Sequence, residues 1–148
     1  KKLEPEEQPG TGSFDYIFGA ALAKQFDRIS LGADFIYNLK TKGAQEREFG
    51  DVIRVDISSS YALRKPGVFP NVRLTGEINS QFLQKDHDRT GKIFDSGGHI
   101  VFLTPGAAID ATEDSTFFIS VPIPVIQDRG GEHPEIDLEV ISGVVFHW

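Results

Sequence analysis

Apolar and polar residues alternate with a period of two along most of this chain. That is the spacing of a β-strand with one apolar and one polar face. Seven segments carry it: Ser13–Phe26, Ile29–Lys40, Asp51–Arg64, Asn71–Phe82, His99–Asp110, Thr116–Ile126 and Asp137–Trp148. In the second, Ile29, Leu31, Ala33, Phe35, Tyr37 and Leu39 share a face, with Ser30, Gly32, Asp34, Ile36 and Asn38 opposite. The fifth and sixth alternate less cleanly and contain Pro105, Pro122 and Pro124. Each segment approaches the ~9–11 residues that a tilted strand needs to cross a bilayer. Soluble strands average only ~5–6.

The connectors alternate too. Links around Phe26–Arg28, Lys65–Pro70 and Ala111–Ser115 are short, while those at Lys40–Gly50, Gln84–Gly97 and Gln127–Ile136 are longer, polar and Gly-rich. Membrane barrels have short periplasmic turns and longer extracellular loops. The expected fold is all-β: an antiparallel up-and-down transmembrane β-barrel with seven strands in this chain. Residues 1–12 are expected to form an outer loop or tail, and 13–148 a single barrel domain.

The aromatic residues fall at strand ends. If the last strand runs from outside to periplasm, Phe14, Tyr16, Tyr37 and Phe82 lie at outer ends, and Phe26, Tyr61, Phe117, Phe146 and Trp148 at inner ends. All are on the apolar faces, as expected of two aromatic girdles at the membrane interfaces. The opposite face carries Asp15, Asp34, Arg54, Asp56, Arg64, Arg73, Glu77, Asp110 and Glu139. In a barrel these line the lumen, where charges meet water and one another. On the lipid face an Arg or Lys would cost ~2–4 kcal/mol at mid-depth. In a soluble sandwich the same face would be the solvated surface.

Composition narrows the picture further. The 148 residues carry a net charge of −7, which argues against a broad nucleic-acid-binding surface. There is no Cys, hence no disulfide framework and no thiolate metal site. No unbroken apolar run approaches the ~20 residues of a transmembrane helix. The absence of Met suggests a processed chain or a fragment.

The C-terminal "LEVISGVVFHW" ends on an aromatic residue, with apolar residues at alternate positions before it. It resembles the signal read by the outer-membrane barrel-assembly machinery, which that resemblance makes a partner. "SGGHIVFLTPGAAID" (Ser96–Asp110), "FFISVPIPVIQDRGG" (Phe117–Gly131) and the closing strand together resemble the family of outer-membrane transporter barrels named for the MetA pathway of phenol degradation. The likeness covers Asp51–Trp148 best and the first two strands more loosely. Members of that family more often close on Phe than on Trp. The resemblance implies about twelve strands in total, consistent with the even count of bacterial barrels. This chain would then be the C-terminal portion. It also implies a passive route for small, aromatic or hydrophobic solutes across a Gram-negative outer membrane.

Two readings stay open at several positions. The prolines mark either a local bulge or a kink that shapes the lumen or opens a lateral gap. Beside them Ile100, Phe102, Phe118 and Ile126 are expected to face inward as an apolar stripe, serving a hydrophobic passenger or packing against a plug. Arg54, Asp56, Arg73 and Glu77 form either a selectivity set or a stiffening salt-bridge ladder. Asp86, Asp88 and Asp95 share a loop with His87, but their spacing does not match a calcium-binding EF-hand loop, and a solvated loop accounts for them. His87, His99, His133 and His147 lack zinc-site spacing, and no nucleophile or phosphate-binding motif occurs. The expectation is a barrel without catalysis or cofactor, with membrane lipid and a small solute as partners. The alternative is a structural or interaction barrel with a filled lumen, bound to other outer-membrane subunits. A soluble β-domain comes third.

Overall fold

The computed structural model describes residues 13–43, 48–88, 91–93, 95–130 and 136–148, the side chain of residue 88 excepted. The expected tail at 1–12 and His133 lie outside the described residues. The strands are β1 (Tyr16–Phe26), β2 (Ile29–Leu39), β3 (Val52–Ala62), β4 (Asn71–Leu83), β5 (His87–Asp88), β6 (Gly91–Lys92), β7 (Gly98–Asp110), β8 (Ser115–Ser120), β9 (Ile123–Arg129) and β10 (Ile141–Phe146). No helix occurs among the described residues.

The main sheet runs β1-β2-β3-β4-β7-β8-β10, with β9 paired to β7. Every pairing is antiparallel and joins successive segments. β8 and β9 are two parts of the sixth expected strand. Both oppose β7, β8 along Gly106–Asp110 and β9 along Gly98–Leu103. The small β5–β6 hairpin stands in the loop between β4 and β7. Short turns and long connectors thus collect at opposite ends of an antiparallel meander.

The turns explain themselves chemically. Phe26 opposes Ile29, so Asp27 and Arg28 alone connect β1 to β2, and Asp27 takes φ 48°. Positive φ is what two-residue hairpins need, and Asp tolerates it. At the β3–β4 turn the buried Asn71 stands in for a rung: its Oδ1 accepts from the Arg64 N–H at 3.0 Å and its Nδ2 donates to the Arg64 carbonyl at 3.2 Å. Gly98 enters β7 at φ 146°, where an added Cβ would lie 2.4 Å from the Asp128 carbonyl oxygen. Only glycine fits there.

Among the described residues nothing packs beneath this sheet. Ala62 and Ala108 are the only buried hydrophobic residues among those described. Along β2 exposure alternates: Ile29, Leu31, Ala33 and Phe35 are exposed, while Ser30, Gly32 and Asp34 are half-buried. A flat single layer would expose both faces equally, so the sheet curls with its polar face concave. Side chains crowd on that side. A Cβ on Gly143 would come within 2.8 Å of the Phe118 ring, its directly opposed neighbour.

The last strand is shorter than expected: β10 spans Ile141–Phe146, against an expected start at Asp137. Glu139 therefore precedes the strand, exposed, with its N–H 3.5 Å from the Pro122 carbonyl. Ile126 also departs from expectation. The register slips between Val101 and Phe102, so that Phe102 opposes Pro124 while Val101 opposes Ile126. This bulge at Val125 turns Ile126 onto the apolar face, where it is exposed. The sheet does not close: among the described residues β1 pairs only with β2 and β10 only with β8.

Gly143→Ala is expected to destabilise the protein by about 1–3 kcal/mol, read from urea unfolding in detergent micelles. In a Phe118→Ala background the loss should fall below about 1 kcal/mol. Equal losses in both backgrounds would mean that the ring does not fill this space.

Candidate functional site

The polar face is the candidate site, and cross-strand register decides which of its residues meet. Asp34 lies directly opposite Asp56, and Asp56 opposite Asn79. Asn79 Nδ2 donates to Asp56 Oδ1 at 3.1 Å, and Thr104 Oγ1 donates to Asn79 Oδ1 at 3.0 Å. This chain of bonds supports one of two facing carboxylates, an arrangement that is otherwise unfavourable for like charges. Nearer the short-turn end, Arg73 Nε and Nη2 donate to the two Asp110 oxygens at 2.7 and 2.8 Å. Thr116 Oγ1 adds a bond to Asp110 Oδ1 at 2.8 Å. The planar guanidinium fork matches the carboxylate and fixes both groups in direction.

Not every expected pairing forms. Arg54 Nη2 reaches Gln81 Oε1 at 3.3 Å. Ion pairs link Arg73 to Asp110 and Lys40 to Asp15, and no ladder among Arg54, Asp56, Arg73 and Glu77 occurs in the described residues. Glu77, opposite Thr104, is exposed. Phe118 sits on the polar face, opposite Ala108 and Gly143. Ile100 and Phe102, opposite Gln81 and Asn79, share that face, so three of the four apolar residues expected there are present.

The apolar face has its own order. Phe18, Tyr37, Ile53, Phe82 and His99 form one row across five neighbouring strands. Phe18 stacks on Tyr37 with ring centroids 6.5 Å apart, and Phe82 meets the His99 ring edge-on at 6.1 Å. The Tyr37 hydroxyl donates to Asp51. Phe26, Ile29 and Tyr61 form a second row. From Tyr37 to Ile29 is ~26 Å of strand at 3.3 Å per residue, close to the ~25 Å apolar band of outer-membrane barrels before tilt is allowed for. Tyr16, Phe117, Phe146 and the fully exposed Trp148 lie beyond or beside these rows, and Phe14 precedes β1, exposed.

Polar intrusions between the rows are satisfied internally. Ser59 Oγ donates to the Gly76 carbonyl at 3.3 Å, and Ser80 Oγ bonds His99 Nε2 at 3.0 Å. Among the described strand residues the formal charges on this face, Lys24 and Asp128, stand near strand ends. Lys24 holds its ammonium 4.7 Å from the Phe26 ring centroid. The alternation pattern had passed over Lys24; its nearness to the turn signals an amphipathic residue reaching for an interface.

At the long-loop end Asp86 Oδ1 accepts from the Gly50 N–H at 2.8 Å, and the Asp86 N–H donates to Ser96 Oγ at 2.9 Å. Asp86 thus staples two loops together. No three metal-ligating side chains converge among the described residues. Lys40 Nζ meets Asp15 Oδ2 at 2.6 Å just outside β1, and this hydrogen bond holds the Asp15 carboxyl below the usual carboxylate range. The strap is therefore present above about pH 4 and lost as pH falls through the depressed value. No family profile, curated protein or solved structure matches this chain.

Asp110→Asn is expected to cost about 1–2 kcal/mol of stability, and below about 0.5 kcal/mol in an Arg73→Met background. A double-mutant cycle with no coupling would overturn the fork as a stabilising contact. Lys40→Met is expected to return the Asp15 carboxyl to the ordinary range in an NMR pH titration. An unchanged titration would assign the depression to another group.

Proposed function

We propose that this chain forms part of the wall of a bacterial outer-membrane β-barrel that conducts small solutes passively, without catalysis or a cofactor. The observation that carries the reading is the inside-out sheet. Its apolar face is largely exposed, with Leu22, Leu31, Phe35, Ile57, Leu74, Ile78, Leu103 and Ile119 all open, while its charged face is the concave one. A soluble domain hides such an apolar surface, since contiguous exposed patches exceeding a few hundred Å² are rare. Lipid is the solvent that suits it, and the two aromatic rows fit the headgroup levels.

The free edges shape the proposal. β1 and β10 are the first and last strands of a seven-rung meander, so they run in the same direction. A closed, all-antiparallel barrel then requires an odd number of further strands. Five would make the twelve that the resemblance to the phenol-pathway transporter barrels implies. Until such strands pair with β1 and β10, two rows of backbone donors and acceptors stand open, which lipid does not tolerate.

Within such a barrel Asp34, Arg54, Asp56, Arg73, Glu77 and Asp110 line the lumen. Phe118, Phe102 and Ile100 give it an apolar side suited to aromatic or hydrophobic solutes. The hydrogen-bonded Arg73–Asp110–Thr116 and Asp56–Asn79–Thr104 sets favour a second reading, a stiff scaffold with a filled lumen and bound subunits.

The full-length protein, extracted in detergent and placed in a planar bilayer, is expected to give discrete single-channel conductance and heat-modifiable gel migration. A barrel that shifts on heating but carries no current supports the scaffold. Solubility without detergent and no heat shift would sink both membrane readings.

A further inference from the structure

Three prolines stand within a few rungs of one another, Pro105 across from Val121 and Pro124 across from Phe102, and the ladder shows which bonds they delete. The Val121 N–H donates to the Pro105 carbonyl at 2.9 Å, across a directly opposed pair. Such pairs exchange both of their bonds in an antiparallel ladder, so Pro105 omits the return bond. It follows that Val121 aims its N–H at β7, and Pro122 and Pro124 present their nitrogens to the other side, toward the chain entering β10. The Glu139 N–H lies 3.5 Å from the Pro122 carbonyl, in the register that sets Ile141 against Ser120. Continuing that register would set Pro124 against Asp137. On both rungs the donor is missing, at Pro122 just before β9 and at Pro124 within it.

The consequence is a seam. β10 pairs with β8 over Ile141–Phe146 and stops, although β9 continues for another seven residues. Beyond Pro124 the Val125 bulge shifts the register again. The next anchor is a side chain: Gln127 Nε2 donates to the Ile136 carbonyl at 3.1 Å, and Gln127 Oε1 accepts from the Ile136 N–H at 2.7 Å. Between the Pro122 and Gln127 anchors, no backbone ladder bond joins Ile123–Ile126 to Asp137–Leu138 among the described residues. Exposed Ile123, Val125, Ile126, Leu138 and Val140 border the seam. Phe102 and Ile100 approach it from the polar face, opposite Pro124 and Gln127.

We infer that this seam is a lateral port, through which a small uncharged apolar or aromatic molecule passes between the lumen and the half of the membrane nearest the long loops. Gln127 is its latch. The inference rests on the membrane-barrel reading above and adds a second exit, separate from flow along the barrel axis. Opening an ordinary stretch of two such rungs would break four ladder bonds in lipid, where each unsatisfied group is costly. Here the prolines have removed two of the four in advance, and the one left at Pro122 is long, 3.5 Å. Apolar borders suit an apolar passenger and repel a hydrated ion.

The test compares toluene uptake by Gram-negative cells that make the full-length protein with single-channel conductance of the same purified protein. Pro122→Thr with Pro124→Thr returns both donors. Toluene uptake above the empty-vector rate is expected to fall about tenfold, the population shift that two added ladder bonds produce, with conductance unchanged. Gln127→Ala is expected to raise uptake severalfold at unchanged conductance, and it decides the matter should the double variant fail to reach the membrane.

Wild-type conductance with toluene uptake no greater than the vector rate would overturn the port and leave the channel standing. So would a double variant that keeps its uptake, or a Gln127→Ala protein that shows no rise. Joint loss of uptake and conductance in the double variant would mean that the seam only shapes the axial pore, and would overturn the port. A wild-type protein without conductance fails the channel reading by that reading's own test.

Discussion

The backbone ladder between neighbouring strands carries this structure, because the described residues form no core beneath the sheet to share the task. In most small domains, packing of apolar side chains dominates stability and hydrogen bonds refine it. Here the described residues bury only Ala62 and Ala108 among the hydrophobics. Each inner strand is held by its neighbours on both sides, and the edge strands β1 and β10 by one each. Where a rung is missing, no packing compensates, so the sheet changes course. That is why Asn71 copies a backbone rung at one turn, and why Pro122 and Pro124 are followed by a bulge and a shortened last strand.

Curvature follows from the same arrangement. Strand twist and small residues on one face let the sheet curl toward its polar side. The curl brings Phe118 over Gly143 and lets Arg73 reach Asp110 on the strand beside it. Charges on the concave side find partners or water. The convex side keeps serine hydroxyls bonded within the sheet and its formal charges near strand ends. In the proposed membrane barrel the two faces would meet opposite solvents, and this couples the fold to the proposed work of the protein.

Much of this was legible in the sequence because its signals are local. A period of two assigns each residue of a regular strand to a face, so Asp34, Arg54, Asp56, Arg73, Glu77 and Asp110 could be grouped without coordinates. Loop lengths gave the up-and-down order. What escaped was whatever depends on register between strands. Asp34 faces Asp56 because of the β2–β3 register, which strand periodicity alone leaves open. Arg73 meets Asp110 rather than a member of the Arg54–Glu77 group for the same reason.

The amino-acid sequence by itself determined the antiparallel succession of the long segments, which face is apolar and where the aromatic rings gather. Those follow from side-chain alternation and turn chemistry, which act over a few residues. Only the tertiary structure decided that Ile126 turns outward, that Glu139 falls short of the last strand, and that a seam opens beside β9. A proline's missing donor is visible in any sequence. The neighbour it deprives is known only once the strands are laid side by side, because the two edges of a strand differ only in what lies next to them.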